Sequence, residues 1–309
     1  MNSASDPFHP GERLMQERIG VRERMARRGA AAIRDYMPDQ HREFFATLPF
    51  VVIAALDEQD WPIPTVLNGP FGFIATPDAR TLHIGARPAD DDPAAAGLFA
   101  GAPVGMLGID PARRRRNRVN GSIVAKGSSG FTLSVVQSFG NCAQYIESRE
   151  LHSTPAMPAP AETLDHLDAA AVIAITQADT FFVASASGPR DRPGLCVDVS
   201  HRGGPPGFVR VDGNVLTIPD FAGNRFYNTL GNLLLYPRVG LLFADFATGD
   251  VLQVSGETEI IWDIPEEERP AGAELLWRVQ VGRVWRRRNV LPLRVQDKDP
   301  TLTVSNSAR

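Results

Sequence analysis

Short runs rich in Val, Ile, Leu, Phe and Thr recur along most of the chain, separated by Gly, Pro, Asp and Asn. They fall at 51–56, 72–75, 81–85, 104–109, 122–126 and 131–137. A second series follows at 181–185, 195–199, 207–211, 215–219, 239–246 and 250–258. Runs spaced by about ten residues and bounded by turn formers predict the strands of an antiparallel barrel or sandwich. Ahead of them, residues 10–36 carry a helical pattern, in which Leu14, Val21, Met25, Ala32 and Tyr36 recur at spacings of seven and four. Pro10 suits a first helical turn and Pro38 ends the segment. This arm is expected to pack on the body of the protein or on a partner subunit. Residues 153–161, with three Pro and three Ala, read as a linker between the two strand series.

The two series overlay. Gly72-Phe73 matches Gly207-Phe208 at an offset of 135, Ile84 matches Ile218 and Pro103 matches Pro237 at 134, and Asn120-Gly121 matches Ser255-Gly256 at 135. A near-constant offset over so long a stretch predicts a tandem duplication of one small β-barrel module. The expected organisation is a helical arm over 1–40, a first module over 41–150, a linker over 151–165, a second module over 166–295 and a tail over 296–309.

The copies differ in their polar chemistry. Asp220-Phe221-Ala222-Gly223-Asn224-Arg225-Phe226-Tyr227-Asn228-Thr229 precedes a short apolar segment. Hydrogen-bond donors with a guanidinium at the start of a helix suit a phosphate. The first copy has Asp90-Asp91-Asp92 there, which would repel one. Ser200-His201-Arg202-Gly203-Gly204 follows a strand, and its glycines would let the backbone approach an anion. Its counterpart, Thr65-Val66-Leu67-Asn68-Gly69, has no basic group. The second copy thus reads as the anion-holding one and the first as scaffold. The alternative is that Arg202 and Arg225 form ordinary surface ion pairs.

Composition narrows the class. The 309 residues carry 32 basic and 36 acidic side chains, a net charge of −4, opposite to that of a general nucleic-acid or anionic-membrane binder. The longest apolar run covers only 48–56, about half a membrane span, and Glu12, Arg13, Glu17 and Arg18 interrupt any signal-peptide core. Two cysteines, Cys142 and Cys196, make neither a disulfide framework nor a zinc site. The six histidines show no metal-ligand spacing. The expectation is a soluble, cytoplasmic protein. The arginine run 113–118 reads as a solvated hairpin, with an anion-binding or partner-binding patch as the other possibility.

The chain resembles the pyridoxamine 5′-phosphate oxidase-like flavoproteins, whose fold is the FMN-binding split β-barrel. The resemblance is carried by Phe8-His9-Pro10-Gly11-Glu12-Arg13, by 198–204, by 223–232, by 240–246, and by Gln137-Ser138-Phe139-Gly140-Asn141-Cys142-Ala143-Gln144-Tyr145-Ile146. It implies a mainly β, α+β fold of tandem split barrels with a helical arm, non-covalent FMN, oxidoreductase activity on a small molecule and a homodimer. Carried over residue by residue, Ser200, His201, Arg202, Asn224, Arg225 and Asn228 become phosphate and ribityl contacts. Gln137, Asn141 and Gln144 become candidates for the polar edge of the ring, or else a turn that satisfies its own backbone. Arg278, in the alternating run 277–285, becomes a further ring contact. A second basic cluster for pyridoxamine 5′-phosphate itself is not found. Without a Gly-x-Gly-x-x-Gly fingerprint or a cysteine cluster, electrons would come from a diffusible donor or a separate reductase. A flavin performs hydride chemistry without a protein nucleophile, so no catalytic residue is named. A flavin- or haem-binding sensor or storage protein is the competing expectation.

Overall fold

A computed structural model of the chain describes residues 6–295; the tail expected over 296–309 lies outside them. The N-terminal segment forms two helices, α1 (Pro10–Arg18) and α2 (Arg22–Ala32), where the periodicity had predicted one. The break is a Gly-ended stop. Gly20 has φ +72°, and the Gly20 and Val21 N–H groups donate to the carbonyls of Glu17 and Gln16, closing α1 as a Schellman motif. At its other end, Glu12 accepts from the His9 N–H and His9 Nδ1 accepts from the Gly11 N–H, so the helix start is capped from both sides. Helix α3 (Asp39–Ala46) leads into the first sheet.

That sheet contains β1 (Phe50–Leu56), β2 (Pro62–Asn68), β3 (Ile74–Asp78), β4 (Thr81–Ile84), β5 (Pro103–Asp110), β6 (Arg115–Lys126) and β7 (Phe131–Asn141). Its order is β2-β1-β5-β6-β7-β4-β3, with antiparallel neighbours throughout. Two short strands follow, β8 (Leu151–Ser153) and β9 (Glu162–Leu164), which bracket the Pro/Ala segment. Helix α4 (Ala169–Gln177) then opens the second half. Its strands are β10 (Thr180–Ala186), β11 (Val197–Gly203), β12 (Arg210–Asp212), β13 (Val215–Phe221), β14 (Arg238–Ala244), β15 (Val251–Ile261) and β16 (Ala273–Arg287). Helix α5 (Asn228–Leu235) lies between β13 and β14, and β17 (Leu293–Val295) pairs with β8. The main path of the second sheet is β11-β10-β14-β15-β16-β13-β12, and β9 joins it on β16.

Numbered within each half, the two sheets have the same strand order. Val104 pairs with Gly121 and Val239 with Gly256, and the register slips beside each of these glycines. Neither main path closes into a hydrogen-bonded ring. The barrel expected from strand spacing is therefore open along its ladder, because the edge strands β2 and β11 are buried against the opposite half.

Strands β1 and β10 are buried along their entire length, and period-two alternation divides their side chains. Val51, Ile53 and Ala55 enter the core of the first half, while Phe181 and Val183 enter that of the second. The other faces, Phe50, Val52, Ala54 and Leu56 with Phe182, Ala184 and Ala186, form a third core between the halves. The sheets approach so closely that a Cβ on Gly105 would lie 2.8 Å from the Val197 carbonyl, and one on Gly240 would lie 2.1 Å from the Pro62 carbonyl. These two contacts are related by the same offset of 135. The arm crosses over to the second half: Phe8, Met15, Val21 and Met25 belong to its core, and Phe8 meets Phe226 edge-on at 5.2 Å.

Candidate functional site

A cleft opens where the edge of the second sheet meets the first. One wall is β11, carrying Ser200, His201 and Arg202; the segment 219–229 and the start of α5 form its rim. The opposite wall comes from the first half: Arg116 and Arg118 on β6, and Asn141, Cys142, Gln144 and Tyr145 at and beyond the end of β7. Arg225 and Tyr227 on the rim have φ of 60° and 61°, a left-handed conformation uncommon outside glycine. Asn224 steadies that turn by accepting from the Phe226 N–H at 3.0 Å.

Arg118 lies at the floor. Its Nε faces Asp198 Oδ1 at 2.9 Å, Nη1 donates to Asn228 Oδ1 at 2.8 Å, and Nη2 donates to Ser200 Oγ at 2.5 Å. Ser200 donates to Asp198 and accepts from Thr229. Asn228 donates in turn to Glu12, which ties α1 to the site. Burial, only partly offset by the His9 N–H and the Asn228 amide, raises the Glu12 carboxyl to about 8.

The other arginines are held differently. Arg202 is paired with Asp220, and Arg225 with Glu274. Among the described residues, Arg116 faces no carboxylate within ion-pair distance; its partners are the Cys142 carbonyl at 2.8 Å, His201 Nδ1 at 2.8 Å, the His201 carbonyl at 3.2 Å and the Gln144 carbonyl at 3.5 Å. Burial and the neighbouring Arg118 and Arg202 pull Arg116 down to about 10. Burial, reinforced by Arg116 and Arg202, holds His201 well below its ordinary value. The imidazole is therefore neutral, and since Nδ1 accepts from Arg116, Nε2 carries the proton. That Nε2 is buried without a partner, as are the Tyr227 hydroxyl and Asn141 Nδ2. Buried donors left unpaired in this way are costly, and with Arg118 Nε and Arg202 Nε, which belong to ion-paired guanidinium groups, five of them border one cleft.

Counting Asp198 below the floor, four guanidinium groups face three carboxylates, so the site carries an excess positive charge. Its remaining side is aromatic. Tyr145 and Phe221 lie 5.4 Å apart and Phe208 and Phe221 6.4 Å apart, with the Tyr145 hydroxyl donating to the Ala222 carbonyl. A cationic pocket beside an aromatic wall is suited to an anion joined to a planar ring.

Eight residues singled out in the sequence border this cleft: Ser200, His201, Arg202, Asn224, Arg225, Asn228, Asn141 and Gln144. Two lie elsewhere. Gln137 lines a separate hollow with Asn120 and Cys196, its amide near the Pro7 carbonyl. Arg278 sits on β16 beside Asp212, Glu257 and Glu259. The sequence had not selected Arg116, Arg118, Thr229, Tyr227 or Glu12. Strand parity could have found the first two: Arg116 and Arg118 share one face of β6, whereas Arg115 lies over the Phe44 ring on the other.

No family model and no curated protein matches the chain. Among solved structures, HupZ of Group A Streptococcus aligns with 39% of this chain and 98% of its own, at 11% identity and a TM-score of 0.30. An FAD-binding protein of Mesorhizobium loti aligns with 42% of this chain and 99% of its own, at 13% identity and a TM-score of 0.28. The MrkH–c-di-GMP complex of K. pneumonia aligns with 76% of this chain and 78% of its own, at 7% identity and a TM-score of 0.21. Similarities this slight decide neither the fold family nor a ligand. No helix among the described residues is long and apolar enough to cross a membrane.

Proposed function

We propose that the chain is a tandem split-barrel protein of the pyridoxamine 5′-phosphate oxidase-like type, and that its cleft binds FMN. The observation that carries this reading is the pairing of Arg116, a guanidinium without a carboxylate, with partnerless buried donors beside an aromatic wall. Arg116, Arg202 and Arg225 would hold the phosphate, and Ser200 and Asn228 the polar chain. The side chains of Asn141 and Gln144 would meet the ring's polar edge. Arg118, ion-paired with Asp198 and hydrogen-bonded to Ser200 and Asn228, fixes the floor on which these groups stand.

Bound flavin would supply hydride or electron transfer, and the chain would orient it and exclude water. We therefore read the protein as an oxidoreductase acting on a small molecule, with turnover dependent on a separate electron donor. A homodimer is part of the same reading. The test is the visible spectrum of the purified protein before and after addition of FMN and removal of the excess. Oxidised-flavin bands at one equivalent per chain are expected. A haem Soret band instead, or refusal of added FMN, overturns the assignment; retained flavin with no consumption of any reduced donor leaves a binding protein without turnover.

A further inference from the structure

The junction between the halves contains a polar cradle, built from both of them, that a side chain of the first half fills. Asp92 has a side chain only 1% exposed, yet it is surrounded by donors. Arg287 Nη1 lies 2.6 Å from Oδ2, and the Thr65 hydroxyl donates to the same oxygen. The Ala94 N–H at 2.9 Å and the Gln253 amide at 3.3 Å donate to Oδ1. Arg287 also lies 3.6 Å from the more exposed Asp91. Thr65, Gln253 and Arg287 are buried, and Arg287 Nε has no partner. A hollow bordered by Asn68, Arg87, Asp91, Asp92 and Arg287 adjoins the carboxylate and leads outward.

The cradle has a counterpart. At the offset of 135, Thr65 corresponds to Ser200 and Gln253 to Arg118. Each of Gln253 and Arg118 reaches across the junction to a residue just before or at the start of a helical turn: Asp92 ahead of Ala95–Gly97, and Asn228 at the head of α5. In the second half that residue is a neutral amide and the adjoining cleft keeps a surplus of cations. In the first half it is a carboxylate, and it consumes the cation supplied by β16.

We infer that this cradle is a binding site for a small carboxylate, which the native chain occupies with Asp92. The inference rests on the donor geometry around Asp92 and is independent of the flavin reading. Alanine at position 92 together with a formate ion reproduces the heavy atoms of aspartate beyond the backbone. Formate entering through the adjoining hollow would restore each of the four donor contacts. No covalent step is involved.

The experiment is thermal unfolding of the full chain in chloride and in formate at matched ionic strength. Asp92→Ala is expected to lower the midpoint by on the order of 5–10 °C, as for a broken buried ion pair in a chain of this size. Formate should restore at least half of that loss in a saturable manner, while the wild-type midpoint responds equally to both salts. Asp92→Asn fills the space with an amide and should show no formate-specific recovery. Asp92→Ala combined with Arg287→Met should lose the formate response. If Asp92→Ala does not fold in chloride, the readout becomes the soluble yield on refolding with formate against chloride, where a higher yield in formate is expected. Equal behaviour of Asp92→Ala in the two salts, in either readout, overturns the site, as does a formate response that survives the loss of Arg287.

Discussion

Arg118 of the first half and Asp198 of the second form an ion pair 2.9 Å long across the junction, with side chains 4% and 0% exposed. Such a pair contributes little over a well-packed apolar pair, but removing one partner strands the other in a dry interior. Arg118→Leu should therefore cost about 3–5 kcal/mol in urea unfolding. Joint replacement of Arg118 and Asp198 by Leu should cost less than Arg118→Leu alone. Arg80→Ala, which removes a pair exposed at both ends to Asp35, should change stability by no more than about 1 kcal/mol. Equal effects at Arg118 and Arg80 would show that the junction is wet.

Most strands were legible because the apolar runs end in turn formers, and the offset of 135 between the two series reappears in the pairing, at Val104–Gly121 and Val239–Gly256. The second-half motifs were legible because 198–204 and 223–229 are each short and continuous. The opposite wall was not. Arg116 and Arg118 were hidden in a run that reads as one charged block until a strand sorts it by parity. Gln137 was grouped with Asn141 as neighbours in sequence, but four residues of extended chain separate them by about 13 Å. The destination of the arm depends on Gly11 meeting Gly231, a contact that no local pattern announces.

That contact gives a second prediction. A Cβ on Gly231 would lie 2.6 Å from the Glu12 backbone nitrogen, and one on Gly11 would lie 2.0 Å from the Gly231 carbonyl. Both would meet backbone, which cannot yield as a flexible side chain can. Gly231→Ala should destabilise the fold by about 1–3 kcal/mol through overpacking. It should also expose α1 to limited proteolysis before the sheets are cut. Gly223→Ala, whose nearest contact would be an ordinary 3.9 Å, serves as the control and should leave the proteolysis pattern unchanged.

Glu12 ties stability to pH. Its carboxyl is raised from 4.5 to about 8, chiefly by burial, so the folded chain holds a proton that the unfolded chain has lost over that interval. Stability from this group is full below pH 4.5 and is lost as pH rises toward 8. The buried histidines act oppositely: His9 and His41, both lowered from 6.5 to about 4 by burial, add stability as pH rises through 4–6.5. Between pH 6.5 and 8 the Glu12 contribution is the one that moves, at up to about 1.4 kcal/mol per pH unit. Urea unfolding across that window should show wild-type stability falling, and Glu12→Gln should flatten the fall. A parallel decline in both proteins would place the proton elsewhere.

The arginines of the cleft should differ in what they contribute to FMN affinity, because they start from different partners. Arg202 and Arg225 must share or release Asp220 and Glu274 before engaging a phosphate, whereas Arg116 has no carboxylate to release. Hydrogen bonds to charged groups contribute about 1.5–3 kcal/mol. Arg116→Ala should therefore weaken FMN by on the order of tenfold to a hundredfold or more, and Arg202→Ala and Arg225→Ala by amounts toward the lower end. Asp220→Asn works in the other direction. It frees Arg202 and removes a negative charge from the rim, so affinity should rise several-fold, and the gain should shrink as salt is added. Replacing the exposed Asp90 and Asp91 by Asn should do nothing. Quenching of FMN fluorescence in a titration reads all five variants. The reading fails if Arg116→Ala binds as tightly as wild type while Asp220→Asn weakens binding, since the carboxylates would then be ligands and the guanidinium groups mere supports.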